Sequence, residues 1–452
     1  MKKLFAVILS VLLCFSCFVG CRVKEEDGED VLRLTIQDEE TEIILNRKLA
    51  TAFENSMKAQ GRNITVKRTT ISGGEYDRDV MNLYNTDTLG DVLFTIDSHA
   101  AQYSSNGLFY DLDEFIERDG FDMSKYDTSV IDTARAYQNQ LSYFPRSFDQ
   151  VTVFINVDFF EEMGLGDKIP QKKNGSWDWW TWSEMLSLCS ELRTAIDAHK
   201  SANEKEYYFP LDINMAWNAV YDAIFKSFGG YTVDAENLKS GLDKANTEAY
   251  AKTVKALEFM KGLISNKYSP AYLSSLDNSA MMFLTRPSVM GCLDEGKHLA
   301  FAPLPKFDTA IDGIDENSVT YVGYGSSGYA IVGNSTKKDL AWEFIKFAVS
   351  EEGQAVISST GSCIPTLNSL QTDDAEWTES VTDADGNAVD QSAFIYRGNT
   401  RSLATYARGV NTAQEYSIYG KMNQNLCDQL RKNSASETAN YLYGQIKEYI
   451  RK

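Results

Sequence analysis

The chain has 452 residues, more than one hydrophobic core usually serves, so two separately packed lobes are expected. With 43% hydrophobic and 24% charged residues it has the composition of a folded globular protein rather than a disordered one. The formal net charge of −20 argues against nucleic acid and anionic membrane surfaces as partners and favours neutral or cationic ligands.

The chain opens MKKLFAVILSVLLCFSCFVGC. Lys2 and Lys3 precede an apolar run over 4–19, short for a membrane-spanning helix and flanked as a signal peptide is, so residues 1–20 read as an export signal. Gly20 immediately before Cys21 resembles a bacterial lipoprotein cleavage site, which would make Cys21 the lipidated first residue of the mature chain. A plain secretory peptide is the alternative. Residues 21–30, rich in charge and poor in apolar side chains, read as a tether.

VLRLTI at 31–36 alternates as a strand does, and Leu45, Leu49, Ala52 and Phe53 follow at helical spacing. A strand at 63–68, a helix near 76–84 and an apolar strand at 91–96 continue the alternation, which predicts mainly parallel sheets with helices on their faces. Ligands sit at the carboxyl ends of such strands, here 37–41, 71–75 and 97–99. A second unit is expected after Pro145, with a strand at 151–156, mostly helical sequence over 186–228, and an amphipathic helix at 249–264. Strand character returns at 288–292 and 298–302, and Pro303 and Pro305 mark a crossing. Helices dominate after Lys338, apart from an acidic stretch at 372–390.

Enzyme chemistry finds little support. His99, His199 and His298 stand alone, with no zinc spacing and no nucleophile motif beside them, and DADGN at 383–387 reads as a turn rather than a calcium loop. Cys189, Cys292, Cys363 and Cys427 are far apart in apolar surroundings and read as small buried thiols. No cofactor and no metal ion are expected.

Several stretches, taken together and in order, look like the extracellular solute-binding protein family 1, the binding lipoproteins of carbohydrate ABC importers, similar to maltose-binding proteins. They are GDVLFTIDSHAAQYSSNGLFYDLDEFI at 90–116, SYFPRSFDQVTVFINVDFFEEMGL at 142–165, FAPLPK at 301–306 and YVGYGSSGYAIVGNSTKKDLAWEFIKFAVSEEGQ at 321–354. RPSVM at 286–290 departs from the family run at that place and keeps only Met290. The resemblance implies a periplasmic-binding-protein-like α/β fold: 31–147 with 305–350 as one discontinuous lobe, 148–304 with 351–452 as the other, and a hinge between them. It implies no enzyme activity, a sugar or oligosaccharide held between the lobes, and delivery to membrane permease subunits by a lipid-anchored protein outside the cytoplasm. A monomer is expected. A polyamine or other cationic solute, or glycan hydrolysis at the cell surface, are the alternatives.

A sugar offers hydroxyls at its edges and C–H groups on its faces, so carboxylates and aromatic walls suit it. Asp149 maps onto the first crossover, where relatives place an acidic ligand residue; a hinge hydrogen bond is the equal alternative. Asp97 and His99 map onto a strand-end ligand loop. Asp38 and Glu40 map onto the first such loop, although acidic residues also suit a helix start. Trp217 and Tyr221 compete for a stacking role, Tyr324 sits in a Gly-rich stretch that lets a ligand approach the backbone, and Tyr416 and Tyr419 map onto aromatic positions of the C-terminal helices. Burial in a core is the alternative for all of them. The conspicuous WDWWTW at 177–182 reads mainly as packing, with Thr181 and Glu184 spaced to cap a helix.

Overall fold

The computed structural model describes residues 28, 30–72, 76–135, 138–201, 204–234, 237–272, 274–361, 363–402 and 412–450. Cys21 and the rest of the export and anchor segment lie outside the described residues, as do residues 73–75 of the second strand-end loop.

Strand β1 (Val31–Gln37) buries Leu32, Leu34 and Ile36 on one face, and helix α1 (Glu40–Ala59) answers with Leu45, Leu49, Phe53 and Met57, one residue per turn. β1 lies between β2 (Thr65–Ile71) and β3 (Val92–Ile96), parallel to both, with Val31 opposite Thr65 and Leu34 opposite Val92. Helix α2 (Tyr76–Asn85) precedes β3, and helix α3 (Asp97–Ser105) starts on the residue after it. This half of the alternation is parallel, as expected.

The remaining strands correct that expectation. The long β9 (Tyr321–Ile331) enters the same sheet antiparallel to β3 and to β4 (Phe144–Gln150), in the order β10-β4-β9-β3-β1-β2, where β10 is Ile364–Pro365 and also runs against β4. A short strand, β11 (Thr400–Ser402), joins the other end of β9 in parallel. The second sheet runs β6-β7-β5-β8, with β5 (Thr152–Asn156) antiparallel to both β7 (Ser279–Leu284) and β8 (Leu299–Pro303), and β6 (Phe209–Asp212) parallel to β7. The sheets are therefore mixed: a chain that leaves a lobe and returns re-enters it in the opposite direction. SVMGC at 288–292, expected as strand, belongs to a helix, Ser288–Asp294, and the strand is the preceding SAMMFL.

Two large cores result. One gathers β1, β2, β3, α1 and helix α7 (Lys338–Ala348), centred on Phe53, Trp342 and Phe344. The other gathers β5, β7 and helices α4 (Trp182–His199), α5 (Asn218–Ser227), α6 (Thr247–Ser265), α8 (Thr412–Lys432) and α9 (Ala435–Ile450). Leu304, Ile311 and Ile314 pack into the second core, whereas Ile357, Cys363 and Leu367 pack into the first. A third cluster, including Phe148, Phe154, Phe301 and Phe394, fills the space beneath the acidic stretch.

The tryptophans of WDWWTW serve the second core. Trp177, Trp180 and Trp182 are buried, Trp180 Nε1 donates to the Pro303 carbonyl at 3.0 Å, and Trp182 stacks on Phe307 with ring centroids 5.4 Å apart. Thr181 caps α4 by accepting from the Glu184 amide. The fourth, Trp179, is half-buried, but Lys173 Nζ lies 3.5 Å above its ring. That cation covers the face a sugar would need.

Candidate functional site

Between the two sheets lies a cleft of about 320 Å³, and four of the residues singled out in the sequence line it: Asp97, Asp149, Trp217 and Tyr324. They come from four separate places. Asp97 follows the carboxyl end of β3, Asp149 stands near the end of β4 as the chain leaves the first sheet, Trp217 is the residue before α5, and Tyr324 stands on β9 as the chain returns. Ser98, Asn218, Thr285, Ser326 and Ser327 complete the polar lining, and no lysine or arginine is among the lining residues.

β9 brings these parts together because it is short of side chains. A Cβ on Gly323 would stand 2.0 Å from the Ala219 carbonyl oxygen in α5, and one on Gly325 would stand 2.9 Å from Asp97 Oδ2. The glycines of YVGYGSSG thus admit protein atoms of both lobes, rather than lying in a loop that a ligand approaches. Tyr324 is half-buried, and its hydroxyl donates to the Ser129 carbonyl at 2.8 Å.

Asp97 is buried, its Oδ2 accepting from the Ser326 amide at 2.8 Å. Burial pushes its carboxyl up to about 6, against hydrogen bonds from the Ser326 and Ser98 amides that favour the charged form. Asp149 is half-buried, and its Oδ1 is sealed from solvent with no hydrogen-bond partner among the described residues. Desolvation pushes this carboxyl up to about 8, with Arg286 and Arg146 pulling the other way. Two carboxyls of raised pKa and one indole, with serine, threonine and asparagine between them, can accept and donate hydrogen bonds along the edge of a polar ligand and cover one apolar face.

The other sequence candidates lie outside this lining. Asp38 and Glu40 are exposed at the start of α1. His99 is turned into the first lobe, its ring 5.6 Å from that of Tyr76 and 5.1 Å from that of Tyr103, with Nε2 3.4 Å from Asp77 Oδ1. Burial lowers its pKa, against the pull of Asp77. Tyr221 is fully buried, with its hydroxyl 2.9 Å from the Asn423 side-chain amide, and Tyr419 packs in the same core. In both, the core position is the reason they do not reach the cleft. Tyr416 falls on α8, and its side chain lies outside the described residues.

Two arginines that sequence reasoning missed stand beneath the cleft. Arg146 is fully buried, pairs with Glu42 at 2.6 Å and the Tyr329 hydroxyl at 2.7 Å, and lies 4.4 Å from the Phe94 ring centroid. Arg286, also fully buried, donates from Nε to Gln391 at 2.8 Å and from Nη1 to the Cys363 carbonyl, 4.5 Å from the Trp377 ring centroid. The available signal was an arginine in each of two apolar contexts, SYFPRSF and FLTRPSV. Among the described residues no cluster of three or more histidine, cysteine or acidic side chains could hold a metal ion. Cys189, Cys363 and Cys427 are buried free thiols, and Cys292 is half-buried.

Two mixed sheets with a polar cleft between them, bridged by strands that cross from one to the other, define a two-lobed solute receptor. A sequence profile described as bacterial extracellular solute-binding protein matches residues 48–384, and the chain belongs to this family. The fold is shared with the sugar-binding protein MalE from Xanthomonas citri, at a TM-score of 0.70 and 16% identity over 93% of this chain and 97% of that one. It is shared also with an ABC substrate-binding protein from Listeria monocytogenes in complex with cycloalternan, at 0.68 and 14% over 92% and 98%. A cyclic α-maltosyl-1,6-maltose binding protein from Arthrobacter globiformis superposes at 0.68, with 15% identity over 93% and 98%.

Proposed function

We propose that this protein captures a neutral sugar or oligosaccharide in the cleft and presents it to the permease subunits of an ABC importer. The observation that carries the reading is the convergence of Asp97, Asp149, Trp217 and Tyr324, from four separate elements, on one cleft without a basic residue in its lining. Similar proteins solved with cycloalternan or maltotetraose support the ligand class. The first lobe of the proposal is 31–147 with 305–350, and the second is 148–304 with 351–452; packing of Ile311 and Ile314 in the second core, and of Ile357, Cys363 and Leu367 in the first, supports exchanging 305–314 and 357–367 between them.

Capture follows from differential affinity. A ligand that touches Asp97 on one lobe and Trp217 on the other favours the closed arrangement, and the permease then tells loaded from empty protein by shape. The protein binds rather than cleaves its ligand, acts as a monomer, and is held to the outer face of the membrane by a lipid on Cys21. A thermal-shift screen against neutral mono- and oligosaccharides, polyamines and peptides tests the reading. Stabilisation by a neutral glycan is expected; stabilisation by cations alone overturns it, and release of shorter glycans replaces it with hydrolysis.

A further inference from the structure

Asp149 Oδ1 and Arg286 Nη2 are among the buried polar atoms that have no hydrogen-bond partner among the described residues. Leaving either one unsatisfied is costly, and the cost is greatest for ionised groups. Their placement is related. β10 pairs antiparallel with β4, Ile364 opposite Phe148, so the next step along the ladder brings Cys363 beside Asp149. The Cys363 carbonyl is the group that receives Arg286 Nη1, and Thr285, the residue before Arg286, lines the cleft with Asp149.

The charges around Asp149 come from every side. Arg146 stands on its own strand, Glu42 on α1, Cys363 before β10, and Asp97 and Tyr324 line the same cleft. Arg146 is matched by Glu42 at 2.6 Å, so its charge is largely spent there. Among the described residues Arg286 bonds neutral groups, the Gln391 amide and the Cys363 carbonyl, above the Trp377 ring. It is the buried cation left to answer the Asp149 carboxyl, and it sits where the sequence departs from the family run.

We propose that Arg286 is the positioning residue of the binding cleft: from beneath the floor it opposes the burial of Asp149 and keeps that carboxyl able to ionise when a ligand binds, and so ties solute capture to the release of a proton. Ligand hydroxyls donating to Asp149 favour its carboxylate, and the proton it held passes to solvent. This second half rests on the carbohydrate reading. The first half does not, because it concerns the empty protein.

The test follows the side-chain carboxyl carbons of protein labelled with [4-13C]aspartate from pH 4 to 10, with Asp149→Asn to assign the resonance. Native Asp149 should titrate near 8. Arg286→Met and Arg286→Gln, which remove the charge, should raise the midpoint by about one pH unit or more, and Arg286→Lys should move it less than either. A native midpoint near 4 overturns the proposal, and that measurement stands even where a variant fails to fold. Midpoints unchanged in both folded, charge-removing variants overturn it equally. Failure of any glycan to bind would remove the coupling to capture and leave the titration result standing.

Discussion

Asp97 and Ser326 are joined by a hydrogen bond of 2.8 Å from the Ser326 amide to Asp97 Oδ2, which fixes the first residue of α3 to the strand that carries the chain between the lobes. The carboxyl is buried and its pKa is raised to about 6, above its unfolded value near 4. Its contribution to stability is therefore complete below the unfolded value and is lost as pH rises through about 6. Asp97→Asn should flatten the stability profile between pH 4 and pH 7. The difference in slope amounts to ~3 kcal/mol at most across that window. Urea unfolding of both proteins at one-unit pH steps measures it, and parallel profiles would contradict the assignment.

Arg146, fully buried, pairs with the half-buried Glu42 across 104 residues of chain. Removing one partner strands the other charge in the interior, so Arg146→Met should cost ~3–5 kcal/mol in urea unfolding. A loss below ~1 kcal/mol would contradict a stabilising role for the pair.

Gly323 has no room for a methyl group, since its Cβ would lie 2.0 Å from the Ala219 carbonyl oxygen. Gly323→Ala should push the start of α5 away from β9, destabilise the protein by ~1–3 kcal/mol, and weaken solute binding by displacing Trp217. A normal melting temperature would show that the contact yields without cost.

Trp217 lines the cleft, whereas the ring of Trp179 lies under Lys173. Trp217→Ala should weaken binding of a confirmed glycan by about tenfold or more, equivalent to ~1.4 kcal/mol, while Trp179→Ala leaves it unchanged. Titration calorimetry of the two variants decides between them, and equal losses would return WDWWTW to the binding surface.

The contrast between these residues shows what sequence carries and what it omits. The order of β1, α1, β2, α2 and β3 was legible because Leu45, Leu49 and Phe53 repeat at helical spacing between alternating strands. Asp97 was legible as a strand-end residue, Asp149 and Trp217 through family resemblance, and Tyr324 through the glycines around it. Tyr221 was not separable from Trp217, since four residues on one helix start can face either cleft or core, and packing against α8 settles which. Antiparallel entry of β9 between β3 and β4 was hidden because local periodicity does not record strand direction. Arg286 was visible only as a departure from the family run for a related reason: its partners, Cys363 and Gln391, stand 77 and 105 residues further along the chain.

Membrane attachment is a separate matter from the cleft. Cys21→Ala should move the protein from the membrane fraction to the medium or periplasm without altering solute affinity. Persistence in washed membranes would contradict lipid anchoring through Cys21.

The central claim is that the cleft lined by Asp149 and Trp217 holds a neutral glycan. Titration calorimetry of the native protein and of the Asp149→Asn, Trp217→Ala double variant against a panel of neutral oligosaccharides, with spermidine as the cationic control, tests it most directly. The account predicts one-to-one binding of at least one glycan by the native protein and a loss of tenfold or more in the double variant. Binding of spermidine alone, or a glycan affinity equal in both proteins, would contradict it.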